Sequence, residues 1–300
     1  MRTSLLLTGL ATSSLVVLTA CASSKTNTST SSHGTSSMPT MKMSTAAPQS
    51  SGTSGMPGMP MSSGTGLAAT ANGYTLTAGR ITPMAGMDMP VTFTITKGGK
   101  PVTAFDPEQT KLMHFYLIRS DLSAFQHLHP TMAADGTWTV TPAAVGAGSY
   151  RFYVQFLPHA NASDGALVLS RPFSVAGADA TKSAALPAPS AETTLDGYTI
   201  SLAGSAKAGV ETPLRLTFTR SGQPVTDLQP YLDTYAHVTA IHSGDLAFAH
   251  LHPSGVVNGD HGGPTLTVNA DLPEAGTYRL FIQFQTEGTL HTAAITVTAN

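Results

Sequence analysis

Cysteine occurs once, at Cys21, in a chain of 300 residues, and charged side chains make up only 11% of it. One thiol excludes an internal disulfide, a CxxC redox pair and a Cys-ligated zinc. The formal net charge of −2 comes with no basic stripe, so nucleic acid is not an expected partner. Helical periodicity is nowhere sustained. No carboxylate pair, Ser-His-Asp arrangement or glycine-rich phosphate loop stands out, so the chain does not read as an enzyme.

What is present begins at the N-terminus. Arg2 precedes an apolar run, Leu5-Leu6-Leu7 through Leu15-Val16-Val17-Leu18, that is too short and interrupted for a membrane span and reads as a signal peptide over residues 1–20. The run ends in Leu18-Thr19-Ala20-Cys21, which resembles the bacterial lipobox. That resemblance implies cleavage before Cys21 and a lipid on its sulfur, hence a chain anchored to the extracytoplasmic face of the cell membrane. It also implies that no N-terminal histidine copper brace exists. The competing reading is an ordinary signal peptide with a chance cysteine at its end.

Residues 21–68 are dominated by Ser, Thr, Gly, Pro and Met. With little to bury, they read as a disordered stalk. Two copies of one unit follow, at 69–176 and 195–300, joined by a linker over 177–194. Gly73-Tyr74-Thr75-Leu76 recurs as Gly197-Tyr198-Thr199-Ile200, and Tyr150-Arg151-Phe152-Tyr153-Val154-Gln155-Phe156 recurs as Tyr278-Arg279-Leu280-Phe281-Ile282-Gln283-Phe284. Each copy alternates apolar and polar residues at period two in about seven short segments, as Leu214, Leu216 and Phe218 do. The expected fold is all-β: two tandem immunoglobulin-like sandwiches.

Chemistry enters with the histidines. His114 precedes His127-Leu128-His129 by thirteen residues, and His237 precedes His250-Leu251-His252 by the same thirteen. If Ser120-Asp121 and Ser243-Gly244 form tight hairpin loops, His114 falls opposite His127 and His237 opposite His250. His129 and His252 share those faces because strand side chains alternate. Each copy would then gather three imidazoles around one metal. His291 is expected to add a fourth nitrogen in the second copy, where the first has Leu169; His242, aligned with Arg119, is expected on the opposite face from His237. His159 and His261 read as solvated loop residues. The competing reading makes all of these structural histidines.

Methionine forms a second pattern. Met38, Met41 and Met43; Met56, Met59 and Met61; and Met84, Met87 and Met89 repeat one spacing and use nine of the twelve methionines. Thioethers are soft donors that favour Cu(I). The runs resemble the copper-gathering segments of copper transporters and copper-resistance proteins. Low-complexity accident and sacrificial oxidation are the alternatives. The second copy has Val210 and Thr212 in place of Met87 and Met89, so the first copy is expected to suit Cu(I) better and the second to offer a His-only site.

The stretches Ala236-His237-Val238, Gly244-Asp245-Leu246-Ala247, His250-Leu251-His252-Pro253 and His291-Thr292-Ala293 resemble a group of exported actinobacterial proteins with Ig-type domains related in style to YtkA- and CopC-like envelope modules. The resemblance implies a heavy-metal role, and the first copy departs from it by lacking the final His and the Gly-Asp turn. The expectation is a lipoprotein that captures, buffers or hands over copper, or zinc, with a copper transporter or other envelope protein as partner. The alternative is an adhesive or scaffolding module that docks an envelope partner and whose histidines are structural.

Overall fold

The computed structural model describes residues 65–81 and 83–300, with Arg80 and His250 described by their main chain only. The first repeat contains β1 (Thr70–Ala71), β2 (Tyr74–Ile81), β3 (Val91–Lys97), β4 (Lys100–Pro101), β5 (Phe105–Asp106), β6 (His114–Arg119), β7 (Phe125–Leu128), β8 (Thr131–Met132), β9 (Thr137–Val140), β10 (Gly148–Pro158) and β11 (Leu167–Val175). The second contains β12 (Glu192–Leu195), β13 (Tyr198–Ala203), β14 (Thr212–Arg220), β15 (Gln223–Pro224), β16 (His237–His242), β17 (Phe248–Pro253), β18 (Thr265–Ala270), β19 (Gly276–Thr286) and β20 (Thr289–Ala299).

In the first repeat two antiparallel sheets, β1-β2-β3-β9-β8 and β11-β10-β6-β7, close on a core that includes Phe93, Phe115, Trp138, Phe152 and Phe156. In the second, one sheet runs β12-β13-β14-β18-β17-β16-β19-β20. Here β17 pairs β16 through Phe248–Leu251 and β18 through Leu251–Pro253, so one strand passes from one layer to the other. The core includes Phe218, Leu216, Leu280, Ile282 and Phe284. Each repeat carries a tyrosine whose hydroxyl donates back to a carbonyl four residues upstream: Tyr150 to Gly146 at 3.0 Å and Tyr278 to Glu274 at 2.9 Å. This feature recurs in immunoglobulin-like sandwiches.

The two sandwiches form one compact unit. Strand β6 shows why: Phe115 and Leu117 point into the sandwich core, while Tyr116 and Ile118 join a separate cluster with Leu122, Tyr153, Val168, Ile241, Phe248 and Phe281. Both faces of β6 and β16 are therefore covered, one by its own sandwich and the other by the other repeat. Phe125 of the first repeat stacks on Phe281 of the second with centroids 4.2 Å apart.

Two segment boundaries differ from the sequence expectation. Residues 65–68, expected at the end of the disordered stalk, are tied to both repeats. The Thr65 carbonyl accepts from the Phe248 amide at 2.8 Å, and the Ala68 carbonyl accepts from the Ser170 amide at 3.0 Å. Between them Gly66 has φ +68°, and a Cβ there would lie 2.7 Å from Val168 Cγ1, so only glycine passes through the junction. The expected linker ends early, because Glu192–Leu195 pairs with β13. The rest of the expected stalk, the signal peptide and Cys21 lie outside the described residues.

Phe281→Ala removes an inter-repeat ring without touching either sandwich core. It is expected to cost about 3 kcal/mol and to split one calorimetric unfolding transition into two.

Candidate metal centre between the repeats

The register of the histidine hairpin corrects the sequence reading by two residues. Phe115 pairs with Leu128 and Tyr116 with His127, so the next step along the ladder sets His114 across from His129 rather than His127. The same shift holds in the second repeat, where Thr239 pairs with His250. The cause is the turn: Arg119 N–H donates to Ala124 O at 3.0 Å, and His242 N–H to Ala247 O at 2.9 Å, each closing a four-residue loop instead of a two-residue one. A two-residue slip keeps every side chain on its face, so His114, His127 and His129 still meet. One ring nitrogen from each lies within 4.8 Å of the others.

These rings sit on the outward face of β6 and β7, against the second repeat. His127 stacks on Tyr116 with centroids 4.2 Å apart, and His237 lies over His127 at 4.9 Å and over His114 at 6.1 Å. Tyr116 Oη is 3.3 Å from His237 Nε2 and donates at 3.3 Å to Gln155 Oε1. Burial is the main force on the imidazoles. It pushes His114 down to about 4, against a hydrogen bond to the Glu108 carbonyl, and pushes His129 down to about 4 together with the charges of His114 and Lys111. At neutral pH these two rings are uncharged.

Hydrogen-bond partners then assign the tautomers. His114 Nε2 is 3.0 Å from Glu108 O, which can only accept, so Nε2 carries the proton and Nδ1 the lone pair. His127 Nδ1 is 2.6 Å from Gln283 Oε1, and the Gln283 amide nitrogen faces Thr292 Oγ1 at 3.5 Å. His127 Nδ1 is thus hydrogen-bonded to the Gln283 amide across the seam. His114 Nδ1 and His127 Nε2 stand 3.0 Å apart. His114 Nδ1 can only accept there, so the proton shared by the two rings lies on His127 Nε2, and the buried His129 Nε2 makes no hydrogen bond among the described residues.

The remaining candidate residues are distributed otherwise. His252 is half-buried, and its backbone pairs with Asn269; the His250 side chain lies outside the described residues. His291 does not join His237. It shares the core face of β20 with Ala293 and Ile295, accepting or donating at Thr286 Oγ1 (3.1 Å) and Asp196 Oδ2 (2.8 Å) and stacking on Phe284. The third methionine triplet does not gather either. Met84 and Met87 are 56% and 55% exposed, while Met89 is 1% exposed in the first core, in phase with Val91, Phe93 and Ile95. Met38, Met41, Met43, Met56, Met59 and Met61 lie outside the described residues. His159 is exposed and pairs with Asp106, and His261 is exposed.

His242 lies beside Tyr278, hydrogen-bonded to Asp245 at 2.8 Å and close to Glu274. In the first repeat the aligned Arg119 pairs with Asp121. Sequence reasoning missed Glu108, Tyr116, Gln155 and Gln283. The two glutamines carried a signal, since each recurs at one position between apolar neighbours, Val154 and Phe156 in one copy and Ile282 and Phe284 in the other.

Fold and site together define a tandem immunoglobulin-like protein with a histidine cluster at the seam of its repeats. The chain belongs to the family described as a domain of unknown function, DUF8832, whose match covers residues 69–168 and 192–300, one copy in each repeat. No curated protein is similar to it. Among solved structures it is similar to domains 4 and 5 of the S-layer protein SbsC, at 14% identity over 76% of this chain and 96% of that one, TM-score 0.23. It is also similar to InvD of Yersinia pseudotuberculosis, at 16% identity over 77% and 58%, TM-score 0.25. The adhesin FdeC of Escherichia coli matches at 14% identity over 78% and 66%, TM-score 0.25. Likeness this distant says nothing about what the chain binds. Among the described residues no helix is long and apolar enough to cross a membrane.

Glu108 gives this region its pH signature. Its Oε2 is buried without a hydrogen bond, and burial raises its pKa to about 7, against the hydrogen bond from Gln155. A carboxyl held above its unfolded value contributes stability below about 4.5 and loses it as pH rises through 7. In chelator, Glu108→Gln is expected to raise stability at pH 8 by on the order of 1–3 kcal/mol and to change little at pH 4.5, as read by denaturant unfolding at both pH values.

Proposed function

We propose that the chain is a non-enzymatic, extracytoplasmic metal-binding protein that holds copper, or zinc, at His114, His127 and His129. The observation that carries this reading is the convergence of three ring nitrogens within 4.8 Å of one another, one of which, His129 Nε2, is buried without a hydrogen bond among the described residues. A cation would take the place of the proton that His114 Nδ1 and His127 Nε2 share, releasing it to solvent. An ion about 2.0–2.1 Å from two nitrogens spaced 3.0 Å apart subtends an angle of about 95°, within reach of distorted tetrahedral ligation. Imidazole suits both copper and zinc.

Cys21 supports a lipid anchor, and the methionine triplets at Met38–Met43 and Met56–Met61 support Cu(I) collection ahead of the two repeats. Soft thioether donors followed by a buried nitrogen site suit capture and hand-over to a membrane copper transporter or another envelope protein. The YtkA- and CopC-like resemblance agrees with this role.

The adhesive or scaffolding reading has its own support: His291 and His127 are hydrogen-bonded within a well-packed interior, as structural histidines are. Zinc titration of the full chain separates the two. The metal reading expects about one equivalent bound through the hairpin, with affinity falling at least about 100-fold in the His114→Ala/His127→Ala variant and unchanged in His291→Ala. Equal binding by the double variant and the parent would remove the hairpin from the account and leave the scaffold.

A further inference from the structure

The two repeats treat the turn that closes the β6/β7 and β16/β17 hairpins in opposite ways. In the first, the Arg119 guanidinium pairs with Asp121 and donates to the Ala147 and Lys182 carbonyls, so this corner carries its own cation. In the second, His242 takes the place of Arg119 and hydrogen-bonds Asp245 at 2.8 Å. Glu274 is added beside them where the first repeat has Gly146, as the paired tyrosines show: Tyr150 donates to the Gly146 carbonyl and Tyr278 to the Glu274 carbonyl. One guanidinium facing one carboxylate has become one imidazole facing two. Among the described residues neither Asp245 nor Glu274 forms an ion pair with Lys or Arg.

We propose that His242, Asp245 and Glu274 form a second metal site, for a divalent transition-metal ion that does in the second repeat what the Arg119 guanidinium does in the first. One ligand atom from each residue lies within 4.8 Å of the others. Ligands about 2.0–2.2 Å from one ion stand at most about 4.4 Å apart, so a small swing of the two exposed carboxylates closes the set. The backbone around the histidine makes room for it. A Cβ at Gly244 would lie 2.8 Å from His242 Cε1 and a Cβ at Gly276 would lie 2.4 Å from Nε2, so the ring fits because both positions are glycine. Its face packs on Tyr278 with centroids 4.9 Å apart. The Tyr278 hydroxyl accepts from the Glu274 amide at 3.3 Å and donates to the Glu274 carbonyl at 2.9 Å, which fixes the main chain that carries the second carboxylate. A cation at this corner takes the place of the proton that joins His242 Nδ1 to Asp245 Oδ1, and the neutral ring keeps its one N–H on Nε2. One nitrogen with two carboxylate oxygens suits zinc or Cu(II) rather than Cu(I), which prefers soft donors. The site shares no residue with the histidine hairpin.

The test titrates the full chain with Zn²⁺ in the His114→Ala/His127→Ala background, where the hairpin does not contribute, and repeats it with Glu274→Gln or His242→Arg added. Glu274→Gln changes one exposed side chain, and His242→Arg copies the first repeat by supplying a guanidinium in place of the ion. About one equivalent of zinc is expected to remain in the background chain, and its addition is expected to move the ¹⁵N shifts of the His242 ring. Glu274→Gln is expected to weaken this binding at least about 10-fold and His242→Arg to abolish it. In the otherwise unaltered chain either substitution is expected to lower the tightly bound zinc by about one equivalent, which keeps the test decisive if the background chain fails to fold. Zinc binding that is unchanged by Glu274→Gln, or retained after His242→Arg, would overturn the second site and leave the hairpin reading as it stands. Zinc bound equally by the parent and the background chain, and lost with His242→Arg, would support this site while removing the hairpin.

Discussion

Two sheets that already bury one face against their own sandwich also bury the other against each other, and every polar group caught in that seam must find a partner inside the protein. Water is excluded from His114, Tyr116, Gln155, His237 and Gln283, all buried. An unmet hydrogen bond in such a place costs about 1–3 kcal/mol. The seam therefore carries a continuous run of contacts, from Gln283 through His127 and His114 to the Glu108 carbonyl. The middle link in that run joins two imidazole nitrogens 3.0 Å apart.

Duplication supplied two copies of every element of the seam, but the copies use them differently. Arg119 is paired with Asp121 where the second repeat has His242 with Asp245 and a nearby glutamate. The core position that His291 occupies across from Phe284 is filled in the first copy by Leu167, across from Phe156, rather than by the expected Leu169; Asp196 and Thr286 satisfy the ring. Gln283 of the second repeat hydrogen-bonds His127 of the first, and His237 of the second stacks on the same ring. The chain at Thr65 and Ala68 bonds to both repeats.

Much of the fold was legible because period-two alternation survives wherever one face meets the core. The segments expected near 198–203, 213–220, 265–270 and 277–284 correspond to β13, β14, β18 and β19. The grouping of His114, His127 and His129 was legible for the same reason, although the hairpin register was displaced by two; parity is indifferent to an even slip. Met89 and His291 were assigned to metal on spacing and composition. Their phase with Val91 and Phe93, and with Ala293 and Ile295, already put them on core faces. A stricter use of alternation would have separated them from the other candidates.

By itself the sequence determined the duplication, the β-sandwich architecture and the sharing of one face by three histidines of the first copy, because all three follow from periodicity and repetition along a single chain. Only the tertiary structure decided that this face meets the other repeat, that Gln283 hydrogen-bonds His127, and that the Glu108 carboxyl lies buried against Gln155. Those are contacts between residues 47 to 156 positions apart. Local pattern carries no information about them, because they depend on how two finished sheets fit together rather than on how either one forms.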